Sequence, residues 1–206
     1  MTRYRAPGAP WYNGAIAMSA PEDPTQWPRT PWKTASSRPV YENRWIKLRE
    51  DIALLPDGRT TIYGVVQCAE AVGVLPFLDA DTVLLVGQYR YVAQAFYWEM
   101  PTGAQHAGET LEQAAQRELA EEAGHEAGRL IKLCDFYTSK SILREVAHLY
   151  LAEDLRPASR PADATEFIER RAFPWREVLG MVERGEIKDS MTVIAVLHAA
   201  RLRGGR

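Results

Sequence analysis

The stretch GAQHAGETLEQAAQRELAEEAG, from Gly103 to Gly124, constrains this chain more than any other. Its second half has helical periodicity: Leu111, Ala115 and Leu119 recur on one side with Ala114 and Ala120 between them, so an amphipathic helix is expected. On that helix Glu118, Glu121 and Glu122 stand at i, i+3 and i+4, which crowds three carboxylates on one face at about 5 to 6 Å. Like charges at that spacing repel unless something positive sits among them. A hard divalent cation that takes oxygen ligands, Mg²⁺ above all, meets the need; a solvated acidic face is the alternative that three glutamates alone leave open. Gly103 and Gly108 lie in the preceding loop, where a bare backbone can approach a phosphate closely.

Read as Gly103, five residues, Glu109, seven residues, Arg117-Glu118-Leu119, one residue, Glu121-Glu122, one residue and Gly124, the stretch resembles the signature of the Nudix hydrolases. It departs at His125, where the signature closes on an aliphatic residue. That position packs rather than reacts, so the change concerns the helix exit. The resemblance implies Glu118 and Glu122 as metal ligands, Glu121 as a further ligand or as the base that activates water, and Glu109 with Arg117 as a structural ion pair between the box glycines Gly103 and Gly124. It also implies the cofactor, Mg²⁺ or in its place Mn²⁺, which neutralises charge on the phosphate oxygens and lowers the pKa of a bound water.

A chain of 206 residues, 46% hydrophobic, has enough apolar surface for a sizeable core. Its net charge of -2 gives no electrostatic footprint for nucleic acid. Cys68 and Cys134 cannot make a disulfide framework and read as buried free thiols. With no secretory h-region and no long apolar run, a soluble cytoplasmic protein without a membrane partner is expected.

Residues 1–31 are rich in proline and read as an irregular arm, anchored by Trp11, Tyr12 and Trp27. Residues 32–68 read as an antiparallel β unit: alternation from Trp45 to Ile52, a turn at Pro56-Asp57-Gly58, and a β-rich return from Thr60 to Val66. The remainder, 69–206, reads as the catalytic domain. Strands are expected over Ala71–Leu78, Thr82–Tyr89, Phe96–Met100, Leu130–Tyr137 and Val146–Ala152, and two helices between Pro174 and Arg203. Among the histidines, only His106, in the loop before the helix, is a substrate candidate.

VLLVGQYRY and YWEMPTG resemble the segments flanking the signature in the ADP-sugar pyrophosphatase branch of the family, as does the terminal GEIKDSMTVIAVL, whose expected role is packing. The branch resemblance assigns Arg90 to the substrate's phosphate or sugar and Glu99 to a position near the metal and ribose. It further implies a homodimer in which the N-terminal sheets are exchanged; extra strands on one core are the alternative. After the helix the branch pattern has Ser-Pro-Gly, an acid and a glutamate, whereas this chain has Ser139-Lys140-Ser141 and Arg144-Glu145. Glu145 stays a candidate general base or late ligand. Lys140 and Arg144 add positive charge, which suggests a different or more anionic substrate; the alternative is that both side chains point to solvent and pair with acids elsewhere.

The fold expected is therefore α/β, a Nudix-type mixed sheet flanked by helices with an additional N-terminal antiparallel β unit. The function implied is Mg²⁺-dependent hydrolysis of a nucleoside diphosphate sugar such as ADP-ribose. Two alternatives stay open: a nucleoside triphosphate pyrophosphohydrolase, and a sensor that binds nucleotide sugars without cleaving them.

Overall fold

The computed structural model describes residues 31–158, 160–161 and 167–204. The proline-rich arm, apart from Pro31, lies outside the described residues.

The chain enters through an antiparallel meander of β1 (Lys33–Glu42), β2 (Lys47–Leu54) and β3 (Thr60–Gln67). Asp57 shapes the β2–β3 turn, its Oδ1 accepting from the Arg59 amide at 3.0 Å. Two residues from much later in the chain, β9 (Leu143–Arg144), add in parallel to the end of β3. This small sheet is thereby tied to the rest of the molecule at the loop that carries Glu145.

A mixed sheet follows, with β7 (Thr102–Ala104), β4 (Ala71–Pro76), β10 (Val146–Pro157) and β8 (His125–Tyr137) in that order. β4 and β10 run parallel and the outer pairings are antiparallel. An antiparallel sheet of β11 (Glu169–Pro174), β5 (Thr82–Arg90) and β6 (Ala95–Glu99) completes the β structure. The first helix, α1 (Leu111–Ala123), covers one side; α2 (Trp175–Glu183) and α3 (Ser190–Gly204) cover the other.

Neighbouring strand residues point to opposite faces, and here both faces are filled. Val74, Leu84 and Tyr150 pack with Ala115, Leu119 and Ala123 of α1. Leu75, Leu85, Leu149 and Leu151 pack with Val178, Met181 and Val196 of the other helices. Coverage on both sides explains why these strands are continuous apolar runs rather than alternating ones. The mixed α/β fold expected from the sequence is the one observed.

Several boundaries differ from expectation. β8 starts at His125, not Leu130, because its ladder with β10 continues to the His125–Pro157 pair. β7, β9 and β11 were not anticipated, being short or highly charged segments whose pairing is decided by distant partners. Cys68 and Cys134 are free but only half-buried, and burial pushes both thiols up. Among the described residues no helix is long and apolar enough to cross a membrane.

Candidate active site

The helix α1 is set by its ends. Thr110 caps it, accepting from the Gln113 amide at 3.2 Å while the Gln113 side chain takes the Thr110 amide at 2.8 Å. This reciprocal capping box, readable as Thr-x-x-Gln, was missed in the sequence. At the other end Gly124 takes φ +71, a left-handed conformation that glycine adopts without penalty. Arg170 of β11 donates from Nε to Glu122 O and from Nη2 to Glu121 O at 2.9 Å. These are carbonyls that the last helical turn leaves without helical partners.

Arg117 organises the carboxylates. Its Nε and Nη2 reach Glu109 at 2.8 and 3.1 Å, Nη1 reaches Glu118 at 2.6 Å and Glu121 at 3.1 Å, and Nη2 also reaches Ala104 O at 2.7 Å. Every N–H of the guanidinium has an acceptor. Burial alone would lower the Arg117 pKa, but the three carboxylates outweigh it and raise it. In return, hydrogen bonds from Arg117 hold Glu109 down at about 2.

This pairing changes the electrostatic reading of the acidic face. Positive charge among the glutamates was expected from a cation, and in this structure Arg117 supplies part of it. Accordingly, among the described residues no group of three histidine, cysteine, aspartate or glutamate side chains is gathered closely enough to hold a metal ion.

The carboxylates still have a defined setting. Glu118 is 6% exposed and lies against Gly103 so closely that a Cβ there would stand 2.0 Å from its Oε1. Only a glycine leaves that carboxylate its place. Glu122 is 1% exposed, and its Oε2 accepts from the Thr102 amide at 2.8 Å. Glu118 and Glu121 border a cavity of about 860 Å³. Glu145 is part of its wall, oriented by Thr138 Oγ1, which donates to its Oε2 at 2.7 Å. The donors are all oxygens, the type a hard divalent cation takes, although among the described residues they are not drawn together into a ligand set in this structure.

Other parts of the wall come from distant elements. Arg90 lies at the end of β5, His106 and the Gly103–Gln105 backbone precede the helix, Met191 comes from α3, and Arg44, Trp45 and Ile46 come from the N-terminal unit. The Arg44 guanidinium stacks 3.9 Å above the Trp45 ring. Arg44 and Trp45 escaped the sequence reading because only the tertiary fold carries that turn to the cavity.

Glu99 does not border the cavity. It is 2% exposed and stands behind Arg90, with carboxylate oxygens 2.5 and 3.2 Å from the guanidinium. Its Oε1 is close to Arg90 but outside hydrogen-bonding geometry. Burial pushes the Glu99 carboxyl up, Arg90 opposes this, and the charge of Asp189 adds to the rise. Glu99, expected near the metal and ribose, is here the partner that supports Arg90.

Lys140 and Arg144 are exposed and are not among the residues bordering the cavity. Arg144 ends the two-residue strand β9 and is exposed, whereas Glu145, the next residue, borders the cavity. The geometry does not support a direct reading of substrate charge by this pair.

Comparison with known proteins adds independent findings. Residues 69–192 match the family model described as NUDIX domain, and residues 32–66 match the one described as Nucleoside diphosphate sugar hydrolase N-terminal domain. An ADP-ribose pyrophosphatase of Bacillus subtilis is 32% identical over 168 residues, covering 81% of this chain and 91% of the relative. A methanol dehydrogenase activator of Bacillus methanolicus is 33% identical with the same coverage. In fold, the chain is similar to a crystal structure of an ADP compounds hydrolase, with a TM-score of 0.78, 22% identity and coverage of 85% and 96% of the two chains.

Proposed function

The chain belongs to the Nudix family, and from that premise we propose that it hydrolyses the pyrophosphate of a nucleoside diphosphate sugar of the ADP-ribose type. The products are a nucleoside monophosphate and a sugar phosphate. The observation that carries this reading is the division of the cavity wall. Glu118, Glu121 and Glu145 stand on it as acids, while Arg90 and the Arg44–Trp45 stack present cationic and aromatic faces. An aromatic face suits a flat base, and a guanidinium suits a diphosphate oxygen.

A divalent cation, Mg²⁺ in our reading, supplies charge neutralisation on the diphosphate and a bound water of lowered pKa. Glu118 and Glu122 would hold it, with Glu121 as a further ligand or as the base. Arg117 bridges Glu118 and Glu121 through Nη1 and orients both. Glu145, fixed by Thr138, takes the proton of the attacking water or completes the ligand set. Arg90 binds a phosphate or sugar oxygen, its guanidinium steadied by Glu99.

The same reading includes a homodimer. Trp32, Tyr41, Trp45 and Ile62 of the N-terminal sheet are each more than half exposed, an apolar surface that a second copy would cover. A monomer mass by light scattering at micromolar concentration would count against it. The free thiols Cys68 and Cys134 suit the reducing cytoplasm, which we propose as the location.

The test of function is a panel of nucleotide sugars and nucleoside triphosphates with Mg²⁺ or Mn²⁺, products resolved by mass. A nucleoside monophosphate together with a sugar phosphate is expected. Release of inorganic pyrophosphate from triphosphates, with nucleotide sugars left intact, would replace this reading with the triphosphate pyrophosphohydrolase.

A further inference from the structure

Thr192, in the terminal segment that the sequence reading assigns to packing, makes a contact that packing does not require. It is fully buried near the start of α3. Its hydroxyl donates to Asp189 Oδ2 at 2.6 Å and accepts from the Met100 amide at 3.0 Å. Because the Asp189 carboxylate takes the hydroxyl proton, the oxygen is left to present lone pairs to Met100. Asp189 is itself fixed at the helix start, accepting from the Thr192 amide at 2.7 Å.

Met100 sits in a run, residues 99–103, of which Thr102 and Gly103 border the cavity and Glu99 stands behind Arg90. Glu99, just before it, pairs with Arg90. Pro101 accepts from the Val74 amide at 3.0 Å, the Thr102 amide donates to Glu122, and Gly103 underlies Glu118. A displacement of Met100 is therefore transmitted to Arg90 on one side and to both proposed ligands on the other.

We infer that Thr192, backed by Asp189, is a positioning residue that fixes the 99–103 segment against α1 and so sets the geometry of Glu118 and Glu122. This rests on the reading of those two glutamates as metal ligands. A hydroxyl is needed because an apolar side chain of the same shape fills the space but leaves the Met100 amide without its acceptor. The loss of a hydrogen bond to a metal ligand itself typically costs roughly 10- to 100-fold in metal affinity or activity, and Thr192 acts on such a bond, that of Thr102 with Glu122, through Met100.

The test compares three full-length variants with the natural protein: Thr192→Val, Thr192→Ser and Val196→Ala. Val196 is buried in the same helix, makes no hydrogen bond to the segment through its side chain and does not border the cavity, so its truncation controls for lost packing alone. Mn²⁺ binding by electron paramagnetic resonance, kcat and KM on the active nucleotide sugar, and amide exchange over residues 99–103 are measured, with Tm for each. Thr192→Val should weaken Mn²⁺ binding and lower kcat by about tenfold or more and speed exchange at 99–103, and Thr192→Ser should restore all three. Val196→Ala should lower Tm alone. Unchanged exchange at 99–103 in Thr192→Val, or equal loss of Mn²⁺ affinity in Val196→Ala, would overturn the positioning role. A natural protein that binds no Mn²⁺ would instead overturn the assignment of the glutamates, and the exchange result would then decide the positioning claim alone.

Discussion

The Glu118 carboxylate occupies the space where Gly103 lacks a side chain, with Oε1 only 2.0 Å from the position a Cβ would take. The contact joins the strand before the helix to the acidic face of the helix itself. Since the obstructing atoms are the far end of a flexible side chain, an alanine at 103 can be accommodated by rotating Glu118 away. Gly103→Ala should therefore still fold, with Tm lowered by the loss of the Glu118–Arg117 bond, while turnover falls by roughly two orders of magnitude, as expected when a charge-stabilising group is displaced. A variant that is both stable and fully active would show that Glu118 is not needed where it now lies.

Gln in place of Glu118 or Glu122 keeps shape and removes charge. At 122 the amide oxygen can still accept from Thr102, so a loss of activity there reports the charge and not the fold. Turnover should drop by about two or more orders of magnitude in each variant, measured at saturating Mg²⁺. Near-normal turnover in both would remove them from the metal site.

The α1 box was legible because its chemistry is local: spacing along one helix places Glu118, Glu121 and Glu122 without knowledge of the rest. Doubly buried strands such as Thr82–Arg90 were legible as apolar runs. What stayed hidden depends on distant partners. β11, with its sequence ERRAFP, buries only Phe173, so it shows no strand period, yet it delivers Arg170 to the end of α1. Thr192 reads as one more helix residue until Met100, far away in sequence, is placed beside it. Glu99 and Arg90 read as two separate site residues, and the ion pair that makes one the support of the other is a tertiary fact.

The Glu109–Arg117 pair gives a pH signature. Arg117 depresses the Glu109 pKa from 4.5 to about 2 in the folded protein, so the unfolded chain binds more protons between those values. The stabilisation is therefore fully present above about pH 4.5 and is lost as pH falls toward about 2. Glu109→Gln should lower Tm at neutral pH, and the gap to the natural protein should close as pH falls through that window. A gap that stays constant with pH would mean that the ionised pair is not what stabilises the site.

Lys140 and Arg144 are the pair for which the sequence left two readings open, substrate contact or a solvated surface. Their charges suggested a more anionic substrate, yet both are exposed and neither is among the residues bordering the cavity. The neighbouring Glu145 is, with Thr138 holding its carboxylate. Surface substitutions away from such contacts usually change energies by within about 0.5 kcal/mol, roughly twofold. The Lys140→Ala, Arg144→Ala double variant should accordingly keep the rank order of kcat/KM across nucleotide sugars and triphosphates, with each value within about twofold of the natural protein. Glu145→Gln in the same assay should lower kcat for every substrate, since it removes a proposed proton acceptor rather than a selector. A reordered substrate preference in the double variant would show instead that this loop closes over the bound substrate and brings the two cations into contact with it.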